Sequence, residues 1–351
     1  RVFVKSAGNS EQDGIYVTGT AALNTPVQHT FTIPVVSGGR QCGSLTGRGN
    51  DEFFADLWYK GSDTITVKVV APNGQTFFQN STGNDPNSAE TDTPFGTIFV
   101  DCPGTPYAVN GDHECMFGVD DSGGVLPAGG KWTVSITGTS VSGGGRYDSW
   151  IADATKGICT WGWDSPSPGS TVSIPGTSNR GITVGAYLTK LSWTNIAGKS
   201  IGYQDPSFVL SDIAPFSSTG PTRDGRVKPD IAAPGMGIAS TKSRTIATGS
   251  GSEGRLRTVE DGKHMILEGT SMSAPHVAGA VALLLAINPT MNNATIHDVL
   301  TDNAGVDSFT GAIPNGPWGF GKLNVFAAAQ DARVSGPRTA RRAAGAAPSP
   351  R

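Results

Sequence analysis

The run Gly269-Thr270-Ser271-Met272-Ser273-Ala274-Pro275-His276-Val277-Ala278-Gly279 sets a serine between a glycine and a stretch able to form an apolar helix. Glycine allows a substrate to approach the backbone closely. A serine at the mouth of a helix has unpaired backbone N–H groups and the positive end of the helix dipole beside it. That suits a hydroxyl nucleophile attacking a carbonyl carbon, with N–H groups facing the developing oxyanion. Ser271 is therefore the candidate nucleophile. Pro275 is expected in the first helical turn, where its missing N–H costs nothing. Ala278, Gly279 and Ala280 are small enough to let the helix press on a sheet. A second stretch of interest opens the chain. Arg1 to Val4 reads as a buried strand that breaks into Ser6-Ala7-Gly8-Asn9, a turn of functional type.

The elements that must position these residues fall into two textures. From Gly14 to about Pro168, short alternating runs recur at 30–35, 53–59, 64–70, 96–100, 116–119, 132–137 and 149–152. Turn signals such as Asn73-Gly74 and Gly143-Gly144-Gly145 separate them, and no helical period intervenes. This predicts an antiparallel β-sandwich, a domain of its own over residues 15–168. After Ser170 an α/β texture returns. Strands are expected at Gly181–Tyr187, at Pro229–Gly235 closing in a Pro-Gly turn, and at His264–Leu267. A helix from Pro275 to about Ile287, apolar nearly all round, is expected to be buried. Asn292 or Asn293 caps a second helix running to about Thr301, and Leu323–Ala329 reads as a third. The tail, residues 333–351, holds Arg among Ala, Gly, Pro and Ser and is expected to be disordered.

Net charge is −3, too weak a field to recruit nucleic acid or a membrane surface. The apolar run Val277–Ile287 is too short to span a bilayer. No signal peptide is visible at Arg1, and a chain opening on Arg in mid-strand is expected to have been cut or truncated. The four cysteines, Cys42, Cys102, Cys115 and Cys159, have no CxxC spacing and lie in the first half of the chain. They read as a disulfide framework formed in an oxidising, extracytoplasmic setting, with free buried thiols as the alternative. Cys102 closes one expected strand and Cys115 opens the next, which suits a bridge across a hairpin. Cys42–Cys159 then follows by elimination among three connectivities.

Gly269 to Gly279 is similar to the nucleophile motif of the subtilase family. The resemblance continues in order through Val2–Asn9, Gly181–Tyr187, Phe216–Pro221, Lys228–Gly235 and Trp318–Asn324. It covers residues 1–14, the end of an oxyanion strand, and about 171–332. It implies an α/β fold, a mostly parallel sheet with helices on both faces, incomplete at its amino-terminal side. It also implies peptide hydrolysis by a Ser-His-Asp triad. By this resemblance Ser271 is the nucleophile, and its N–H and the Asn9 amide form the oxyanion hole. Ser6, Ala7 and Gly8, with Gly269 and Thr270, would contact substrate. The chain contains no Asp-Ser/Thr-Gly and no His-Gly-Thr motif suited to the other triad members. The family places both before Asn9, here before residue 1, so the expected partner is a segment or chain that carries them. Glu268 stands where many members have Asn.

His276, five residues after Ser271, lies about 140° around the helix from it and reads as structural. His264 reads as a loop-edge residue, His29 and His113 belong to the sandwich, and His297 to a peripheral helix. Asp230 is expected to hold its turn by hydrogen bonding. The resemblance allows calcium, largely in the missing part; no cofactor site is readable in these residues. The sandwich resembles the jelly-roll domain inserted in some bacterial subtilases, on Leu57–Asp63, Ala71–Gly74 and Lys131–Thr139. Trp161 and Trp163 read as exposed aromatics for a domain junction or a glycan. The expected function is a secreted serine endopeptidase acting on polypeptides. The alternative is a non-catalytic scaffold that keeps the subtilase shell and attaches through its sandwich.

Overall fold

Ile182–Leu188 is a run of β-branched and small apolar residues covered on both faces, the signature of an interior parallel strand. In the computed structural model it is the middle of a three-stranded parallel sheet, between Val4–Ser6 and Ile231–Met236. The structure describes residues 1–36, 40–41, 52–81, 89–153 and 162–334. The chain divides into two compact units, Arg1–Gln12 with Gly169–Arg351, and Asp13–Pro168.

In the first unit the strand before Asn9 is Val4–Ser6 and only half-buried, shorter and later than expected. Ile231–Met236 runs straight through Pro234-Gly235, with a register shift opposite Tyr187 and Leu188. Proline donates no ladder bond, which accounts for the irregularity. The chain bends two residues later, at Gly237, whose φ of 78° favours glycine.

The helix Thr270–Ile287 packs Val277, Ala280, Val281 and Leu284 on Ile182, Val184, Ile231 and Ala233. The helices Asn293–Asp302 and Val325–Val334 join the same core through Ile296, Val299, Leu300, Ala328 and Ala332. Residues 333 and 334, which composition assigns to a disordered tail, form the end of the last helix. By length and composition Thr270–Ile287 would pass for a membrane span, yet one face of it is core. It is not buried all round. Ala278, Gly279, Ala282 and Ala286 are exposed, and Leu283 is 55% exposed, so the small residues at 278 and 279 do not press on the sheet.

A buried ion pair ties this unit together. Lys228 Nζ lies 2.7 Å from Asp230 Oδ2, with side-chain exposures of 5% and 7%. Asp230 also accepts from the Thr183 N–H at 2.6 Å and meets His297 Nε2 at 3.1 Å. Asp230 thus joins two strands to a helix, a wider reach than the local turn expected of it. Burial pushes its carboxyl upward, but the bonds from His297 and Lys228 outweigh this and hold it below the usual carboxylate range.

The second unit is antiparallel throughout its two larger sheets. One has six strands, in the order Tyr16–Thr20, Arg146–Asp153, Glu52–Lys60, Asp112–Asp120, Gly96–Asp101, Ala89–Thr93. The other has four, in the order Val27–Ile33, Gly130–Val141, Asp63–Val70, Thr76–Ser81. Strict alternation along Glu52–Lys60 sends Phe53, Ala55, Leu57 and Tyr59 into a core shared with Ile65, Val67, Trp132, Val134 and Ile136 of the four-stranded sheet. Trp163 is not exposed. It stands edge-on to Phe53 at 5.6 Å within this core. Buried Asp63 accepts from the N–H groups of Gly143 and Gly145, which fixes the glycine turn.

Cys102 and Cys115 form a disulfide at the point where register carries Asp101 opposite Met116. Cys42, Cys159 and Trp161 lie outside the described residues. Residues 13–168, produced alone under oxidising conditions, should be a monomer that melts cooperatively. Replacing Cys102 and Cys115 by alanine should lower its stability by about 3 kcal/mol, the cost of releasing a short cross-linked loop. An unfolded 13–168 fragment would show that its core depends on the other unit.

Candidate active site

Gly269 precedes the helix with φ of 140°, a conformation L side chains rarely adopt, and a Cβ there would sit 3.3 Å from Asn9 Nδ2. The backbone conformation therefore calls for glycine, and a Cβ would also crowd the Asn9 amide. The helix begins at Thr270, earlier than expected, which places Ser271 in its first turn and Pro275 in its second. The Pro275 ring removes the N–H that would have reached the Ser271 carbonyl. Ser271 is exposed, and its hydroxyl makes no hydrogen bond among the described residues. Its N–H lies where no earlier helical carbonyl can take it. No acidic side chain in the first turn offsets the positive end of the dipole.

Asn9 is fixed from several sides. Ala7 is buried, donates from its N–H to Val184 O at 2.9 Å and accepts from Ser173 N at 2.8 Å. Gly8, at φ of 115°, accepts from Ser218 N at 3.0 Å and donates to Thr270 Oγ1 at 3.1 Å. Thr270 in turn donates to Asn9 Oδ1 from its N–H at 2.9 Å and from its hydroxyl at 2.8 Å. The amide oxygen of Asn9 is thus occupied, and its Nδ2 is left facing the mouth of the helix. Among the expected substrate contacts, Thr270 is buried and orients Asn9, while the Ser6 hydroxyl accepts from Lys5 Nζ at 3.0 Å.

Sequence reasoning missed Glu11, whose Oε2 accepts from Thr171 Oγ1 at 2.5 Å, Thr219 Oγ1 at 2.8 Å and Thr219 N at 3.2 Å. It anchors the segment just after Asn9. Its nearness to Asn9 was the available signal; its partners 160 and 208 residues away gave none.

Glu268 is turned to Arg257, which donates to both carboxylate oxygens at 2.6 Å, and it accepts from Tyr203 Oη at 2.8 Å. Burial raises the Glu268 carboxyl, but Arg257 and Tyr203 hold it below the usual range. None of the five histidines bonds to Ser271. His276 Nδ1 meets the Met272 carbonyl at 2.9 Å, His264 pairs with Asp261, His297 with Asp230, and His29 with Tyr147. His113 stacks on Tyr59 in the other unit. Among the described residues no cluster of three or more His, Cys, Asp or Glu is arranged to hold a metal ion.

The subtilase family model matches residues 141–321, just over half of the chain. This chain belongs to the subtilase family. It is 35% identical over 122 residues to pyrolysin of Pyrococcus furiosus, covering 33% of this chain and 8% of that protein. It is 32% identical over 182 residues to the serine protease AprX of Bacillus subtilis, covering 51% of this chain and 36% of AprX. The solved CspB protease of Clostridium perfringens superposes with a TM-score of 0.68 at 21% identity, over 95% of this chain and 60% of that one. At that identity the likeness is one of fold. The subtilase residues present here span well under two thirds of these curated relatives.

Proposed function

We propose that these residues form the nucleophile- and oxyanion-bearing part of a serine endopeptidase that cleaves polypeptides through an acyl-enzyme. The observation that carries this reading is the Asn9 amide, its oxygen held by Thr270, the residue next to the exposed Ser271, and its Nδ2 close to Gly269 at the helix mouth. Ser271 Oγ attacks the scissile carbonyl carbon, and the carbonyl oxygen gains charge between Asn9 Nδ2 and the Ser271 N–H. The hydroxyl proton passes to a base and then to the leaving amine, and water completes hydrolysis of the ester. With no histidine here bonded to Ser271, the base and the acid that orients it are assigned to a further segment, ahead of Asn9 in the family's order. The unit 13–168 is proposed to be the family's inserted jelly-roll domain. A disulfide-bearing sandwich fits a secreted or extracytoplasmic enzyme.

The purified chain of residues 1–351 should hydrolyse a peptide anilide at no more than background rate, and Ser271 should resist a fluorophosphonate probe. A form that also carries the Asp- and His-bearing segment should label at Ser271, and Ser271→Ala should abolish the labelling. Turnover by the short chain, lost in Ser271→Ala, would place the base within these residues. A folded, segment-bearing protein that fails to label would favour the scaffold reading.

A further inference from the structure

The outward face of the six-stranded sheet has an organisation that packing does not require. Alternation along Glu52–Lys60 turns Phe54, Asp56 and Trp58 away from the core, each half-buried. Pairing with the strands on either side extends these into rows. Trp58 stands opposite Glu114, and Asp56 lies between Trp150 and Met116, with Asp101 beyond Met116. Phe54 and Phe99 stack at 5.5 Å across Gly118, where a Cβ would strike the Phe99 ring at 2.7 Å. Tyr107, 51% exposed, stands over Trp58 at 5.3 Å. Carboxylates and aromatic rings therefore alternate across this face. Its cations are already paired at one end, Lys60 with Asp112 at 3.2 Å and Arg146 at 3.1 Å with Asp148, the other neighbour of Trp58. Among the described residues, no lysine or arginine forms an ion pair with Asp56, Glu114 or Asp101.

We propose that this face is a docking surface for an arginine- or lysine-bearing polypeptide segment. A basic side chain offers what Asp56, Glu114 and Asp101 lack: a cation, flanked by a flat group or alkyl stem that lies on the rings. The charge balance points the same way. Residues 13–168 hold sixteen acidic side chains against seven basic ones. Burial and the charge of Glu114 push the Asp56 carboxyl up to about 6, and its Oδ1 is buried without a hydrogen-bond partner. Burial raises Glu114 as well; the charge of Asp101 adds to this and the Tyr107 hydroxyl opposes it. A neutral sugar could stack on the same rings but would leave this repulsion in place. The inference does not depend on the proteolytic reading.

The test uses the whole chain and a peptide of alternating Arg and Ala, with a Gln–Ala peptide as the neutral control, followed by calorimetry and tryptophan fluorescence. The basic peptide should bind saturably, and binding should weaken between 0.05 and 0.5 M salt, as the Debye length falls from about 14 Å to about 4 Å. Asp56→Asn with Glu114→Gln should weaken binding about ten-fold, and Trp58→Leu severalfold, while Asp205→Asn in the other unit leaves it unchanged. The carboxamide variants remove a repulsion and should fold; an unaltered melt checks this. Equal binding of the neutral peptide, or undiminished binding by the carboxamide variant, would overturn the proposal. So would a dimer of the chain that the same substitutions dissolve, since a second copy would then be the occupant.

Discussion

Asn9→Ala, in a form of the protein carrying the complete triad, lowers kcat by about 10²–10³-fold and leaves KM nearly unchanged. The size is that seen on removing one oxyanion donor from a subtilisin. The direction follows from the geometry. Asn9 Oδ1 is taken by the Thr270 N–H and hydroxyl, at 2.9 and 2.8 Å, so the Nδ2 donor is aimed before substrate arrives. Its bond strengthens only as the carbonyl oxygen acquires charge, which lowers the barrier without tightening the ground state. Thr270→Val should produce a smaller fall in kcat, because it leaves Nδ2 in place and removes one of the two bonds orienting it. Steady-state kinetics on a peptide anilide decide the matter. A rise in KM with kcat intact would make Asn9 a substrate contact rather than an oxyanion donor.

Asp230→Ala destabilises the chain by about 3–5 kcal/mol at neutral pH, because it strands the Lys228 ammonium in the interior. Lys228 would keep only the Gly181 carbonyl at 2.8 Å, and the Thr183 N–H would lose its acceptor. Chemical denaturation of the full chain measures this; a loss below about 1 kcal/mol would mean that water reaches the pair.

The His297 partner adds a pH signature. Its bond to Asp230, opposed in part by burial, raises the His297 pKa above the ordinary 6.5. A base raised on folding contributes stability that is complete below its unfolded pKa and is lost as pH rises through the folded one. Asp230 is depressed on folding, so its contribution is present above 3.8 and lost as pH falls through the lower folded value. The difference between the wild type and His297→Gln should therefore be greatest between 3.8 and 6.5, the ordinary values of the two groups, and shrink toward pH 9. A difference that grows with pH would contradict the assignment.

Ser271 stands out in the sequence as a candidate because its signal is local: a glycine, a small hydroxyl residue and an apolar run, all within a few residues of one another. The alternating strands of residues 15–168 were legible for the same reason, since a period of two is written along the chain. Strands with weaker alternation, Tyr16–Thr20, Thr76–Ser81 and Ala89–Thr93, went unread, being defined by their neighbours more than by their own residues. Local reasoning also erred where burial decides. Trp163 reads as exposed from its sequence, yet its ring packs on Phe31 and Phe53, more than a hundred residues earlier, and on Phe117. The helix Thr270–Ile287 looked buried all round, because composition states how apolar a face is and not what covers it.

The site shows the same division. Sequence alone determined which residue types stand at positions 9, 269, 270 and 271. Only the tertiary structure decided that Thr270 occupies the Asn9 oxygen from 261 positions away, that Glu11 grips Thr171 and Thr219, and that Glu268 is spent on Arg257 and Tyr203. Hydrogen bonds reach about 3 Å whatever the separation along the chain, and a linear sequence carries no record of which distant groups folding will bring within that reach.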